Sequence, residues 1–398
     1  MNETFKKNES SEGVNSYGEE VIKFFNEHSF ELVPPVETED ESDEKRYVNK
    51  SRAAIEKDKE DESIDMLKSP DGLNRYFESV GFKSTEPVSV VEKDGTILYI
   101  SSGVQIIDPV IQAESKIPDE KIFVAQPVIR SQFIDSIKSN VSTSFINLST
   151  ESINNGPTDH FDSIRKWFYL LKSIGINPNE ITIVEKSTNQ RWGKRKFTNF
   201  VLKFFYQNVE IGDAVYIPTM PQDSRPPISI SDIGFGLERL NAIAKDSQYY
   251  NEIVQNNPEM VGIDKKVLDY TRTLTLIASS GVEPSNSGHG YRFRLFAKRL
   301  VPEILGSVID VKKLISFFFD EWDKWGTLSV DKDRVTVGIA REIERNLNRL
   351  ILDEVNKTHK LTGIEINRPT KDFWTALKNS GVSGDEIKSL ERVFNVKL

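Results

Sequence analysis

Apolar and polar positions follow two different rhythms along this chain. Between Leu73 and Lys245, compact apolar runs (TILYI, KIFVAQPVI, EITIV, FVLKFFY, AVYI and ISIS) are separated by polar, Gly and Pro punctuation, the signature of strands. Two stretches between them, LNRYFESV and FDSIRKWFYLLKSI, carry helical spacing, and in the second Phe161, Ile164, Phe168 and Leu171 fall on one face. Strands mixed with amphipathic helices predict an α+β domain over 71–246, an antiparallel sheet flanked by helices. Beyond Lys245 the strand rhythm nearly vanishes. Val311 to Trp325 and the stripe Ile339, Ile343, Leu347 and Leu350 predict a helical domain over 247–398, with Trp322 and Trp325 in its core.

Residues 1–70 read as an N-terminal extension. Glu37 to Glu62 (ETEDESDEKR, then EKDKEDE) is too charged to bury a core, so a linker or solvated helix is expected there. FFNEHSFELVPPV from Phe24 echoes YFESVGFKSTEPV from Tyr76, either a duplicated helix-to-strand unit or two junctions alike by chance.

Composition narrows the chemistry. The 398 residues are 37% hydrophobic, and no apolar run approaches the roughly 20 residues that cross a bilayer, nor does MNETFKKNESSEG contain a signal core, so a cytoplasmic protein is expected. Zero cysteines exclude disulfides and thiol catalysis, and four histidines make a Cys/His zinc site improbable. The net charge of −9 argues against indiscriminate nucleic-acid binding, but RWGKRK at Arg191 and YRFRLFAKR at Tyr291 are local basic clusters, each a solvated face or a phosphate contact.

The densest motif is ISISDIGFGLERL, Ile228 to Leu240. Gly234 and Gly236 let a strand turn tightly and a flat ligand approach it. Arg239, one turn into the following helix, can fork onto a triphosphate. Upstream, FVAQPVIRSQF and TSFINL read as strand, loop and strand carrying Arg130 and Phe145, which alone also fits a hairpin with a surface Arg and a core Phe. EPSNSGHGYRFRLFAKRL follows from Glu283.

Taken together these segments resemble class II aminoacyl-tRNA synthetases, and in particular the alanyl-tRNA synthetase family. Gly-x-Gly-x-Glu-Arg is similar to the third class II motif, and Ser-Asp-x-Gly-x-Gly-Leu-Glu-Arg is its form in the alanine family. The Arg130–Phe145 hairpin resembles the second motif, Ser101 to Gln105 stands where the family has Asn-Ala-Gly-Met, and Glu283 to Leu300 resembles the family's Pro-Ser-Asn-x-Gly-Arg-Gly-Tyr segment. The matches run in the family's order from Leu73 to Leu300.

The resemblance implies that Arg130 meets the ATP α-phosphate, that Phe145 stacks on adenine, and that Gly236 and Arg239 complete the ATP site. It implies that Asp232 binds the α-ammonium group of the amino acid, although a helix N-cap would also account for an Asp there. Glu210 would hold Mg2+. Asn286, Arg292, Arg294, Lys298 and Arg299 would meet a tRNA acceptor stem. Two positions depart from the family, whose Trp and Asn are Gly212 and Asp213 here. If Asp213 faces the amino-acid pocket it adds a negative charge, and Gly212 adds room, which would alter substrate choice. Trp192 is a further pocket wall, or a core or surface Trp. The family also continues into editing and oligomerisation domains beyond the point that corresponds to Leu398, which implies a truncated paralogue that does not proofread in cis.

The expected function is ATP-dependent activation of alanine or a similar small amino acid and its transfer to tRNA. An alternative is a ligase of specialised metabolism that hands the adenylate to a carrier protein or small-molecule amine. A third reading is a non-catalytic tRNA-binding protein, against which the intact Arg130, Phe145, Asp232, Glu238 and Arg239 speak. The sequence leaves the oligomeric state open.

Overall fold

A computed structural model describes residues 16–33, 45–49, 67, 69–91, 98–112, 120–137, 142–222, 226–245, 260–305, 309–326 and 328–362, with four residue pairs between 374 and 388. The chain forms two compact units. One contains 1–88, 100–128 and 145–252; the other contains 89–99, 129–144 and 253–398.

The first unit is built on a nine-stranded sheet of described residues. Its strands are β1 (Phe30–Val33), β2 (Lys45–Asn49), β3 (Lys83–Ser84), β4 (Ile122–Ile129), β5 (Ser144–Ile153), β6 (Ile181–Trp192), β7 (Arg195–Tyr206), β8 (Val209–Met220) and β9 (Ile228–Gly236), in the order β1-β2-β6-β7-β8-β9-β5-β4-β3. The pairings β1–β2, β2–β6, β6–β7, β7–β8, β8–β9 and β9–β5 are antiparallel, and the two-residue β3 lies parallel to β4 at the edge. Tight turns make the central meander: Gly193 takes φ +59° between β6 and β7, and Gln207 and Asn208 take φ 49° and 65° between β7 and β8, the double left-handed conformation that suits a two-residue hairpin. The α+β class and its mainly antiparallel sheet are those the apolar rhythm predicted.

Two helices cover one face of this sheet. They are α1, over 16–27, and α4 (Pro157–Ser173). Phe161, Ile164, Phe168 and Leu171 are all buried, as their spacing requires. Trp167 stacks on Phe235 with ring centres 4.5 Å apart and donates its indole N–H to Thr150 Oγ1 at 2.8 Å. Tyr17 of α1 stacks on Phe200 and Tyr216. The helix α2 (Pro70–Ser79) buries Phe77 against Phe123 of β4. On the opposite face a 3₁₀ turn, Gly103–Ile107, leads into α3 (Asp108–Gln112) and caps an apolar cluster of Ile107, Ile153, Phe197, Ile217 and Ile230.

Three expectations need correction. Part of the charged run is neither linker nor helix, because Lys45–Asn49 forms β2 between β1 and β6. A strand can carry such residues when its backbone pairs on both sides and its polar side chains find partners: Tyr47 stacks on Phe25 and donates to Glu185 at 2.9 Å. The remaining residues of that run lie outside the described residues. Of TILYI, the described residues Leu98 to Ile100 form an isolated bridge, Tyr99 to Val91, and Thr96 and Ile97 lie outside the described residues. The described part of 1–70 is also more than an appendage, since β1 and β2 extend the sheet, α1 packs on it, and Tyr17, Phe24 and Phe25 are buried. Both echo segments form a helix that turns into a strand, α1 into β1 and α2 into β3.

The second unit is helical. Its helices are α6 (Lys265–Ser279), α7 (Gly288–Ile304), α8 (Val311–Asp323) and α9 (Lys332–Thr362); α5 (Leu237–Ala244) belongs to the first unit. Trp322 is buried against Arg272, whose guanidinium lies 4.4 Å from its ring centre, and Trp325 is buried too. The segment 129–144 is pinned to α6: Asp269 accepts from Thr143 N–H at 3.0 Å and Thr143 Oγ1 at 2.5 Å, while Arg272 donates to Ser144 O and Tyr270 to Ile134 O.

Candidate functional site

β5 and β9 run side by side, and their register decides which side chains share a face. Asn147, Ser149 and Glu151 of β5 stand opposite Gly236, Gly234 and Asp232 of β9, and Gly234 in turn stands opposite Asp213 of β8. Side chains two residues apart point the same way. This face, turned away from α1 and α4, therefore carries a row of polar groups that ends at the Gly236 turn.

At that end, Phe145 is only half-buried although most of β5 is fully buried. A Cβ on Gly236 would lie 3.7 Å from Arg239 Cβ and 3.8 Å from the Phe145 ring, so the ring, the bare glycine backbone and the arginine stem form one small platform. Arg239 donates from Nη1 to Glu210 O. Glu238, beside it, accepts the Ile146 N–H on both carboxylate oxygens at 3.1 and 3.0 Å, which anchors the first turn of α5 to the start of β5. The sequence reading gave Glu238 no structural task.

Further along the strands lie the carboxylates. Asp232 sits inside β9 and is half-exposed. It is not the N-cap of α5, a position taken by Gly236, so the capping explanation of this Asp falls. Ser149 Oγ lies 3.4 Å from Asp232 Oδ1 and donates to Glu151 Oε1 at 2.5 Å. Glu151 is 1% exposed, and burial first, then the charges of Asp232 and Asp213, push its carboxyl well above the usual range. Asp213 is half-exposed, opposite Lys203 and Gly234.

The 3₁₀ turn is clamped onto this row. Gly103 N–H donates to Asn147 Oδ1 at 2.7 Å, Asn147 Nδ2 donates to Phe235 O at 3.3 Å, and Gln105 Oε1 accepts from Ser101 and Ser102 N–H. A Cβ on Gly103 would come within 2.3 Å of Ser149 Cβ, so only glycine permits the approach.

Gly212 does not open a pocket. A Cβ there would meet Gly234 O at 2.4 Å and the Phe235 ring at 2.5 Å, so Phe235 fills the space that a missing side chain was expected to free. Trp192 packs against the apolar cluster beneath the 3₁₀ turn and donates its N–H to Asp108, on the same face as the polar row. Glu210 pairs with Lys203 at 3.1 Å, and among the described residues no group of three His, Cys, Asp or Glu side chains is placed to hold a metal. Arg130 falls in the second unit, half-exposed, with its N–H donating to Thr143 O at 2.7 Å.

The basic motif of the second unit is built by glycines. Gly288 takes φ +56°, and a Cβ on Gly290 would lie 2.4 Å from Glu283 O, so the Glu283–Ser285 strand of chain folds directly onto the start of α7. Asn286 accepts from Arg294, which also reaches Glu342 at 3.7 Å, and Arg299 pairs with Asp135 at 2.8 Å. Lys298 is exposed and Arg292 half-exposed. Of the five residues expected to meet RNA, three thus have partners within their own unit. No described helix is long and apolar enough to cross a membrane.

Asn147, Ser149 and Glu151 escaped the sequence reading. Their signal was present, since polar residues at every second position of a strand buried on both sides are costly without a task.

No protein-family model matches the chain. It is 22% identical over 397 residues to alanine–tRNA ligase of Saccharolobus islandicus, covering 81% of this chain and 43% of that protein. It is 22% identical over 320 residues to the enzyme of Aeropyrum pernix (61% and 35%), and 36% identical over 83 residues to that of Sulfurisphaera tokodaii (20% and 9%). The solved pyrrolysyl tRNA synthetase of Desulfitobacterium hafniense matches 46% of this chain and 67% of its own at 12% identity, with a TM-score of 0.32; the α+β architecture rests on the strands and helices described above, not on that likeness. The chain is thus similar in sequence to archaeal alanine–tRNA ligases, and it spans less than half the length of these relatives.

Proposed function

We propose that this protein activates a small amino acid with ATP, forming an aminoacyl-adenylate, and passes the acyl group to tRNA. One observation carries the reading: a single sheet face has an aromatic ring, a glycine and an arginine at one end and a carboxylate row at the other. Gly236 and Asp232 are four residues apart on one strand, roughly 13 Å at the usual rise, a span suited to adenine at one end and an amino acid at the other.

In this reading adenine stacks on Phe145, which is half-buried, and Arg239 lies beside the phosphates. Asp232 receives the α-ammonium group. The amino-acid carboxylate attacks the α-phosphorus, a P–O bond forms, and pyrophosphate leaves with the electrons of the bond that breaks. Positioning and charge neutralisation supply most of the acceleration. Arg130 is assigned to the α-phosphate on sequence resemblance alone. Mg2+ would enter with ATP and supply neutralisation of phosphate charge; Glu210, paired with Lys203 in this structure, is the residue that would hold it. Asp213 makes alanine one of several small amino acids to be tried, and the solvent-facing Lys298 and Arg292 are offered to the tRNA acceptor stem.

ATP–pyrophosphate exchange measured with each amino acid in turn tests the proposal. Exchange with one or a few supports it, and none with any removes it. The internal pairing of Arg294 and Arg299 favours one second reading, transfer to a carrier protein or small amine. Exchange without tRNA charging would select it. The expected setting is the cytoplasm.

A further inference from the structure

Glu151 is a buried carboxyl group that the proposed reaction does not use. Its burial is nearly complete, Oε1 accepts from Ser149, and among the described residues no group donates to Oε2. Directly across the β5–β9 ladder stands Asp232, and opposed residues of an antiparallel pair have Cβ atoms about 5 Å apart. Ser149 Oγ touches both carboxyl groups. Among the described residues the charged groups that act on Glu151 are Asp232 and Asp213, both acidic.

Two opposed carboxylates this close, one of them out of water, cannot both carry charge at little cost. The arrangement is resolved when the buried one is a neutral acid. Its single O–H then needs an acceptor, and the acceptor facing it is Asp232.

We propose that Glu151 is a positioning residue for the amino-acid site: as a neutral acid it donates from Oε2 to Asp232 and holds that carboxylate in the orientation that receives the substrate's ammonium group. The inference rests on the reading of Asp232 given above. It assigns the two carboxyl groups different tasks. Asp232, half-exposed, keeps its charge for the ligand; Glu151, beneath it, supplies the proton that orients it, and Ser149 fixes Glu151 in turn. A glutamine at 151 can do the same work, with its amide N–H₂ in place of the O–H and its carbonyl accepting from Ser149. A leucine or methionine cannot.

The test is exchange kinetics on the full chain for the wild type, Glu151→Gln, Glu151→Leu and Glu151→Met, with the amino acid found by the screen. Glu151→Gln should stay within about threefold of the wild type. Glu151→Leu and Glu151→Met should raise KM for the amino acid about tenfold, the loss of one charge-assisted hydrogen bond, with KM for ATP unchanged. Should the apolar variants not fold, infrared spectra of the wild type and Glu151→Gln decide: a protonated-carboxyl band at neutral pH that disappears in Glu151→Gln supports the inference, and its absence from the wild type overturns it. Equal KM values in all four proteins, or a rise in ATP KM as large as that for the amino acid, also overturn it while leaving the proposed function standing. Absence of exchange with any amino acid overturns both.

Discussion

At the residue scale the site depends on atoms that are missing as much as on those present. Gly103 lets the 3₁₀ turn rest on Ser149, and an added methyl would meet Ser149 Cβ, which has no freedom to move. Gly103→Ala is therefore expected to cost about 1–3 kcal/mol, the range for overpacking, and to reduce amino-acid-dependent exchange more than ATP binding. Chemical denaturation together with exchange kinetics checks it. His160 is a second case. It is fully buried, shares a hydrogen bond with Ser231 Oγ at 2.7 Å, and burial lowers its pKa from 6.5 to about 3. The unfolded chain takes up a proton on this ring near pH 6.5 and the folded chain does not until about pH 3. Stability from this group is whole above 6.5 and declines as pH falls between those values, by about 1.4 kcal/mol per pH unit. His160→Gln should flatten the fall in Tm between pH 6.5 and 4.5, and an equal slope in both proteins would contradict this.

At the scale of elements, the apolar rhythm located strands and helices well because each is a local property of a few neighbouring residues. α4 formed where Phe161, Ile164, Phe168 and Leu171 recur, and β4, β5 and β9 formed where FVAQPVI, TSFINL and ISIS stand. Rhythm failed where pairing outweighed composition, at β2, while the described end of TILYI pairs through a single bridge, Tyr99 to Val91. Trp167 joins α4 to the sheet, stacking on Phe235 and donating to Thr150. Trp167→Ala should destabilise the first unit by about 3–5 kcal/mol. Since Phe235 adjoins Gly234 and Gly236, exchange activity is expected to fall at temperatures where the variant is still folded, which calorimetry and kinetics at matched temperatures will reveal.

At the scale of the whole molecule, net charge and local charge oppose each other. A chain of net charge −9 repels RNA in general, so any tRNA contact must come from a local patch such as the outer side of α7, where Lys298 is exposed and Arg292 half-exposed. Replacing either with Ala should weaken tRNA binding and lower the slope of log K against log salt by about 0.7–0.9 per phosphate contact removed, measured by filter binding over a salt series. Arg294→Ala, by contrast, should show itself first in stability, because it removes a partner of Asn286 and Glu342. By itself the sequence determined the α+β class, the helical second half, the turn glycines and the polar and basic residues offered to ligands, because propensity, periodicity and charge are written locally. Only the tertiary structure decided that residues 89–99 and 129–144 join the helical unit, that Phe235 fills the space at Gly212, and that Glu151 stands against Asp232. Those outcomes depend on strand order and register, which bring together residues distant in the chain. A one-residue change of register would have turned every one of these side chains to the other face.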